Sequence, residues 1–265
     1  MPARKSKDEM TPEETRQQIR EEKLTGPTPG YAGGYAQANL LIIPEEYAFE
    51  FSLFAFRNPK PCPVLDILEK GQYNPPSSPE ADIRTDLPRY RLYKEGKLVE
   101  EILNIRNLWQ DNLVSFLLGC SFTFESALQE ENIPIRHIEN NKNVPMYITN
   151  IKCHSAGIFS GPMVVSMRPL PGRYISRAVE ITSKYPEVHG APVHIGAPEE
   201  IGIDNIDEPD FGDKVSIKKN EIPVFWACGV TPQAVVMESK LPFVITHSPG
   251  HMFITDIRNR DLKEI

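Results

Sequence analysis

The sequence lacks long apolar runs and carries fewer positive than negative charges. No stretch of about 18 apolar residues occurs among its 265 residues, so we expect no transmembrane helix. Lysine and arginine total 29 against 36 aspartates and glutamates, giving a net charge of -7. This balance disfavours nucleic acid or an anionic membrane as a partner, because both require a basic surface.

Cysteine is also scarce. The four residues Cys62, Cys120, Cys153 and Cys228 are far apart and form no CxxC pair. This spacing excludes a disulfide framework and a zinc ribbon. The first residues, Met1 to Asp8, are polar and do not resemble a secretory signal. We therefore expect a protein of the reducing cytoplasm.

Proline is the residue in excess, with 25 of 265 positions, roughly twice the usual ~5%. Hydrophobic residues make up 40% of the chain and charged residues 25%, which is ordinary for a soluble globular protein. The prolines therefore predict many short elements joined by fixed turns.

The first half of the chain predicts helices and a hairpin. A capping box with proline at the first helical position begins a helix over 12–23. A second helix over 44–56 is so aromatic that we expect its aromatic face to pack in the core. Tyr90 to Tyr93 and Lys97 to Ile102 predict a β-hairpin, and a short helix is expected over 125–131.

The second half twice shows the order strand, helix, strand, which favours βαβ units. The fold class expected is α/β, with a mixed, partly parallel sheet, flanking helices and a smaller α+β subdomain. The expected divisions are an N-terminal helical arm over 1–30, a first lobe over 31–150 and a second lobe over 151–265. In a parallel sheet ligands bind beyond the carboxyl ends of strands. The residues at the predicted strand ends are Arg168, His194, Cys228 and His247.

Cys228 is the sharpest of these candidates. It ends a predicted strand and precedes Gly229 and a helix that begins near Thr231. The dipole of that helix would favour a thiolate, so Cys228 could serve as a proton shuttle or a nucleophile. The alternative is a buried, inert cysteine.

The run from Gly119 to Glu125 has a similar layout. A glycine turn presents Cys120, Ser121 and Thr123 before a helix, where backbone N–H groups could hold an anion or oxyanion. The alternative is a capped helix start.

Two histidines, His189 and His194, lie five residues apart and could bind a metal ion together with Asp210. The offset places them on opposite faces of a strand, so a bend would be needed. Asp213 could supply a further carboxylate. The alternative is a turn with surface acids, and no HExxH-like spacing supports the metal.

Two arginines could clamp a substrate carboxylate. Arg84 lies in a loop of alternating charges, and Arg168 ends an apolar strand, where an unpaired charge would be costly. A third candidate region is the loop His247-Ser248-Pro249-Gly250-His251, whose histidines could act as acid or base. The alternatives are a solvated ion-pair loop around Arg84 and an ordinary turn around the histidines.

Together these segments resemble the D-glutamate cyclase family, whose bacterial members are described as hydro-lyases. The resemblance extends from about Gly30 to Asp256. The matching segments are Ala36–Leu40, Phe56–Pro63, Arg84–Pro88, Gly119–Glu125, Val144–Tyr147, Gly161–Pro169, His189–Gly196, Pro209–Asp213 and Phe225–Gln233.

The resemblance implies a carbon–oxygen lyase that cyclises D-glutamate, or a related acidic amino acid, to 5-oxo-D-proline with loss of water. The partner we expect is a small acidic amino acid, with no nucleic acid and no membrane, and a homo-oligomer stays open. No cofactor is predicted, and a divalent metal ion has only weak support. As a hypothesis, Arg168 or Arg84 clamps the α-carboxylate and amides near Cys120, Ser121 or Gly229 hold the oxyanion. His247 or His194, with Asp210 or Asp213, moves protons. The alternatives are a metal-assisted lyase or hydrolase using His189, His194 and Asp210, and a non-catalytic amino-acid-binding protein.

Overall fold

The computed structural model describes residues 5–264 as two β-sheets with helices around them. The strands are β1 (Tyr35–Pro44), β2 (Val64–Leu68), β3 (Tyr90–Lys94), β4 (Lys97–Ile102), β5 (Leu113–Gly119), β6 (Met146–Lys152), β7 (Pro162–Pro171), β8 (His194–Ile195), β9 (Glu221–Ala227), β10 (Val244–His247) and β11 (Phe253–Arg258). The α-helices are α1 (Pro12–Arg20), α2 (Glu45–Arg57), α3 (Phe122–Glu130), α4 (Arg136–Glu139), α5 (Ile175–Ser183) and α6 (Thr231–Ser239).

The larger sheet has the strand order β2-β5-β1-β10-β3-β4, and β11 also pairs with β1. The smaller sheet has the order β6-β7-β9-β8. Strands β10 and β11, which lie within the predicted second lobe, thus belong to the sheet built mainly by the first. The boundaries of the lobes stay a prediction.

The α/β class is confirmed, but the expected parallel pairing is wrong. Every strand pair between residues 5 and 264 is antiparallel. The helix α6 joins β9 of the smaller sheet to β10 of the larger sheet, so this connection crosses between sheets. The helix α5 joins β7 to β8, but β9 lies between these two strands. The strand–helix–strand order was therefore correct while the pairing was not.

Local signals in the sequence are confirmed for several elements. The capping box at Thr11 begins α1, which ends at Arg20 rather than near Lys23. The hairpin of β3 and β4 has the predicted bounds at its turn. The helix α2 also forms, because it has an acidic first turn and a basic last turn.

The expected burial of the aromatic face of α2 is only partly correct. Phe51 and Phe54 are fully buried, whereas Phe49 and Phe56 are 79% and 83% exposed. Phe49 and Phe56 lie seven residues apart, on the face opposite to Phe51, so one helix cannot bury all four against a single sheet.

The hydrophobic core lies on both faces of the larger sheet and between the sheets. One cluster packs α2 and α6 on one face, and a second fills the other face around Leu40, Tyr90 and Ile245. A third cluster joins α3 and α5 to Trp226 of β9. The ends of β5 and β9 meet beside this third cluster, which places two glycine–cysteine turns close together.

Candidate functional site

The first of these turns connects β5 to α3 through Gly119, Cys120 and Ser121. A Cβ atom on Gly119 would lie 2.0 Å from the carbonyl oxygen of Glu187, so only glycine allows the backbone segment around Glu187 to approach. Ser121 precedes the first residue of α3 and is buried. The predicted glycine turn before a helix is therefore present.

A charged cluster is buried behind this turn. Its members are Ser121, Glu125, His137, Ser166 and Arg168, and we call it the buried charge cluster. Arg168 donates from Nε to Oε1 of Glu125 at 2.8 Å, and its Nη2 also donates to that oxygen. The remaining contacts run from Nη1 to Oγ of Ser166 at 2.9 Å and from Nη2 to Oγ of Ser121 at 3.0 Å.

Arg168 lies within β7 and has no solvent exposure. Its guanidinium carbon lies 5.2 Å from the ring centre of Phe124 and 5.4 Å from that of Trp226. A charge in such surroundings requires a partner, and Glu125 supplies it. Because Glu125 and two serines already occupy its guanidinium, we interpret Arg168 as a residue that positions the cluster.

Glu125 carries its negative charge inside the protein. Burial alone would raise the pKa of this carboxyl, but His137 and Arg168 together lower it to about 2. Nε2 of His137 lies 3.2 Å from Oε1 of Glu125, without the alignment of a hydrogen bond. At neutral pH the cluster therefore presents an ionised carboxylate beside an imidazole.

The second turn follows β9 and contains Cys228, Gly229 and Thr231. The hydroxyl of Thr231 donates to the carbonyl oxygen of Cys228 at 2.7 Å. Asn39 lies between the two turns, because its Nδ2 donates to the carbonyl oxygen of Gly119 at 2.8 Å and lies 1.9 Å from where a Cβ of Gly229 would be. Glycine at 229 is thus needed for this close approach.

The thiols of the two turns do not have the character expected from a helix dipole. Burial raises the pKa of Cys228 to about 11, although a hydrogen bond from the backbone N–H of Val230 acts in the opposite direction. Burial likewise raises the pKa of Cys120. The cost of burying a thiolate exceeds the favourable contribution of the helix start, so both thiols are protonated at neutral pH.

A cavity of about 450 Å³ lies next to the buried charge cluster. Its lining includes Glu125 and the chain from Gly30 to Gly34, so we call it the glycine cavity. Gln37 also lines this cavity, and its backbone N–H donates to the hydroxyl oxygen of Thr123 at 3.3 Å. The cavity therefore places Glu125 at the boundary between the buried charge cluster and the outside.

The structure assembles the predicted residues Cys120, Ser121, Thr123, Arg168, Cys228, Gly229 and Thr231 around the two turns. It places the other candidates in different contacts.

The side chain of Arg84 pairs with Asp82 at 2.8 Å and stacks 3.3 Å from the ring centre of Tyr73. The carboxylates of Asp210 and Asp213 accept from the backbone N–H groups of Ile148 and Asn143 and are exposed. These contacts link loop segments, so the structure gives Arg84, Asp210 and Asp213 no connection to the buried charge cluster.

The residues of the metal hypothesis do not come together. Nδ1 of His189 lies 2.7 Å from the carbonyl oxygen of Lys60, whereas Nε2 of His194 lies 2.9 Å from that of Ala197. Asp210 lies in the exposed contact described above. Within residues 5–264, no group of three or more His, Cys, Asp or Glu side chains is arranged to hold a metal ion.

His247 and His251 lie elsewhere on the larger sheet. Nδ1 of His247 accepts from the backbone N–H of Leu40 at 3.2 Å, and burial lowers its pKa to about 4. Nδ1 of His251 lies 3.0 Å from the carbonyl oxygen of Pro249. His251 lines a second cleft described below, whereas His247 is buried and does not.

Sequence reasoning missed four residues of this site: Glu125, His137, Ser166 and Asn39. Two of them carried a signal, since Glu125 follows the aromatic run Phe122–Phe124 and Asn39 interrupts an apolar strand. A polar side chain at a position predicted to be buried requires a partner. His137 and Ser166 had no comparable signal.

The fold and site define an α/β protein with a buried charge cluster next to a cavity. The sequence profile of the family described as D-glutamate cyclase matches residues 114–256. A relative from Thermoanaerobacter sp. is 60% identical over 99% of this chain and 99% of its own. This chain therefore belongs to the D-glutamate cyclase family.

Two further relatives support the same family membership. A Bacillus licheniformis protein is 60% identical over 95% of this chain and 97% of its own, and a Geobacillus kaustophilus protein is 59% identical over 96% and 97%. These three relatives bear the name "Putative hydro-lyase".

A solved nitrogen repressor-like protein from Methanococcus jannaschii overlaps weakly, with a TM-score of 0.38 and 12% identity over 92% of this chain and 97% of its own. That likeness carries no argument. In the part of the chain that the structure describes, no helix has the length and apolar character needed to cross a membrane.

Proposed function

We propose that this protein is a carbon–oxygen lyase that cyclises D-glutamate to 5-oxo-D-proline with loss of water. The observation that carries the proposal is the ionised, buried carboxylate of Glu125, in contact with His137 and at the wall of the glycine cavity. Family membership and the names of the relatives support the reaction class.

The reaction has a fixed balance of atoms. The α-nitrogen of D-glutamate forms a bond to the γ-carbon, and the bond from that carbon to one carboxyl oxygen breaks. Two protons leave the ammonium nitrogen and depart with that oxygen as water. The enzyme must therefore take protons from nitrogen and deliver them to oxygen.

Glu125 and His137 match this requirement. The carboxylate of Glu125 attracts the ammonium group of an amino acid, and the rim residues Asp8 and Glu130 add negative charge at the same cavity. The imidazole of His137 lies 3.2 Å from Oε1 of Glu125, and its two ring nitrogens are groups of the kind that accept and donate protons. In this proposal His137 carries protons from the nitrogen to the leaving oxygen.

Ser121 and Arg168 hold this arrangement in place. Arg168 contacts Glu125 and the hydroxyl of Ser121 at once, so the carboxylate and the start of α3 keep a fixed relative position. Such preorganisation lets charges act without reorganisation during the reaction. The proposal includes no cofactor and no metal ion.

The experiment is incubation of the purified protein with D-glutamate and L-glutamate, followed by chiral chromatography of 5-oxoproline. We expect product from D-glutamate, and loss of at least ~100-fold in turnover for Glu125→Gln. The matched control is Glu131→Gln at the end of α3, whose side chain pairs with Arg177 on the surface and whose loss leaves turnover unchanged.

Two outcomes would contradict the proposal. Absence of product from either enantiomer would remove the cyclase, and a shift in melting temperature by D-glutamate without turnover would indicate an amino-acid-binding protein. Folding of Glu125→Gln is checked by circular dichroism, and Ser121→Ala supplies a second, milder variant of the same cluster.

The thiols are tested separately. Because Cys228 is protonated at neutral pH, we expect Cys228→Ala to retain turnover. A loss of turnover in a folded Cys228→Ala variant would restore the thiol to the mechanism.

A further inference from the structure

A second polar cleft lies on the larger sheet, away from the glycine cavity. It has a volume of about 500 Å³, and its charged lining residues are Arg89, Arg91 and Glu101, with Ser248 and His251 beside them. We call it the arginine cleft. None of its lining residues belongs to the buried charge cluster.

Strand register explains how the charges meet. Arg91 of β3 lies directly opposite Glu101 of β4, and Nε of Arg91 donates to Oε1 of Glu101 at 2.6 Å. Arg89, just before β3, approaches the same carboxylate at 3.8 Å, and Ser248 donates to it at 3.3 Å. The backbone N–H of Ser248 donates to the carbonyl oxygen of Arg89 at 2.9 Å, which ties the loop to the strand.

The two arginines have more donors than the cleft uses. Between residues 5 and 264, Arg89 donates no hydrogen bond from its side chain, and the terminal nitrogens of Arg91 donate none. One carboxylate thus faces two guanidinium groups that are only partly exposed, at 37% and 24%. Burial lowers the pKa of His251, so this imidazole adds no positive charge to the cleft at neutral pH.

The charge of the cleft contrasts with its surroundings. The protein carries a net charge of -7, and the glycine cavity is lined by Asp8, Glu125 and Glu130. The arginine cleft instead has a surplus of one positive charge. Guanidinium groups with free terminal nitrogens bind a carboxylate through two parallel hydrogen bonds.

We propose that the arginine cleft is a binding site for small organic carboxylates, separate from the buried charge cluster. The carboxylate of Glu101 aligns the Nε side of Arg91, and the ligand binds to the terminal nitrogens of Arg91 and Arg89. One carboxylate group of the ligand balances the surplus charge of the cleft, and the rest of the ligand stays in contact with water.

The chain offers a link between this site and the glycine cavity. Thr25, Gly26 and Pro27 line the arginine cleft, while Gly30 to Gly34 of the same loop line the glycine cavity. Thr28, between the two, donates from its backbone N–H to the carbonyl oxygen of Gly250 at 2.8 Å and from its hydroxyl to Gln37 at 2.7 Å. A ligand in the cleft would therefore lie beside one end of the loop whose other end lines the glycine cavity.

The test is an NMR titration of the arginine Nε–H signals with glutarate, a dicarboxylate that lacks the amine needed for cyclisation. We expect saturable shifts of the Arg89 and Arg91 signals, assigned with Arg89→Lys and Arg91→Lys. The signal of Arg84 is the internal control, because this arginine also pairs with a carboxylate, Asp82, but lies outside the cleft.

Substitutions of single arginines test whether the cleft is the site where glutarate binds. Arg91→Gln is expected to weaken glutarate binding at least tenfold, while Arg106→Gln, which removes the same charge from an exposed side chain 3.7 Å from Asp82, leaves it unchanged. Absence of shifts at Arg89 and Arg91, or equal weakening by Arg106→Gln, would overturn the site. Tighter binding of inorganic phosphate than of glutarate would overturn the ligand class.

Two further measurements separate this site from the proposed active site. Glu125→Gln is expected to keep the glutarate response, and Arg91→Gln is expected to keep turnover of D-glutamate. A folded Arg91→Gln variant without turnover would show that the cleft is itself the catalytic site and would overturn the separation. Failure of the cyclase assay alone leaves the binding prediction intact.

Discussion

Glu125 and Glu101 are both carboxylates paired with arginine, but their surroundings differ. Glu125 is 3% exposed, and a fully buried Arg168 and His137 both approach its Oε1. Glu101 is 34% exposed and shares two surface arginines. The two pairs therefore compare the same chemistry in the protein interior and in contact with water.

The difference determines what each pair can do. In the interior, removing one partner leaves a buried charge, so Glu125, His137 and Arg168 form a fixed unit. At the surface, water screens the pair, so Arg89 and Arg91 can exchange partners with a dissolved anion. The buried pair suits a preorganised reaction centre, and the exposed pair suits reversible binding.

The largest expected effect is on the buried pair. Glu125→Gln should lower the free energy of unfolding by about 3–5 kcal/mol, because Arg168 would keep its charge without a counter-ion. Urea denaturation measures this value. A decrease below about 1 kcal/mol would mean that the interior pair behaves like a surface pair, and Glu125→Leu with Arg168→Met should recover part of the loss.

The second effect is the loss of stability in acid. The pKa of His189 and of His247 is lowered by burial from 6.5 to about 4, so the unfolded chain binds more protons between these values. Stability is complete above pH 6.5 and falls toward pH 4, with a slope of up to about 2.7 kcal/mol per pH unit for two protons.

Glu125 extends this loss, because its lowered pKa stabilises the fold above about pH 4.5 and ceases to do so as the pH falls toward 2. Urea denaturation at constant ionic strength measures the slope. A variant of an exposed histidine, His154→Gln, should keep the same slope. A flat profile from pH 6.5 to 4 would contradict the burial of neutral imidazoles.

The third effect concerns the turn that supports the buried cluster. Gly119→Ala would place a Cβ 2.0 Å from the backbone oxygen of Glu187, so we expect a loss of about 1–3 kcal/mol in unfolding free energy. Gly26→Ala is the matched control, since nothing lies within 4 Å of its Cβ position. Equal stability of the two variants would show that the turn has room to adjust.

The smallest effect is expected at the exposed pair. Glu101→Gln should change the unfolding free energy by less than about 1 kcal/mol, because water screens this ion pair. The same variant should bind glutarate more tightly, since it removes the negative charge beside Arg89 and Arg91. A large loss of stability would erase the contrast between the two pairs.

Much of the local structure could be predicted from the sequence. Thr11 and Glu14 form the predicted capping box through the hydroxyl of Thr11 and the carboxylate of Glu14. The hairpin around Glu95 and Gly96, and the helix beginning at Thr231, also follow local rules. These features depend on neighbouring residues, which the sequence contains.

Strand pairing could not be predicted in this way. Helix α6 connects β9 to β10, and the sequence alone does not show that these strands lie in different sheets. The same limit applied to the thiols, because the effect of burial on Cys228 depends on packing from distant segments. A helix start predicted the opposite direction for the pKa.

The sequence by itself determined family membership, the α/β class and the two glycine–cysteine turns, since these depend on residue identity and short-range geometry. Tertiary structure alone decided that Glu125, His137 and Arg168 meet, that Arg84 and Asp210 belong to other contacts, and that Arg89 and Arg91 keep free donors. The reason is physical: the charge state and availability of a side chain depend on which distant groups exclude water from it.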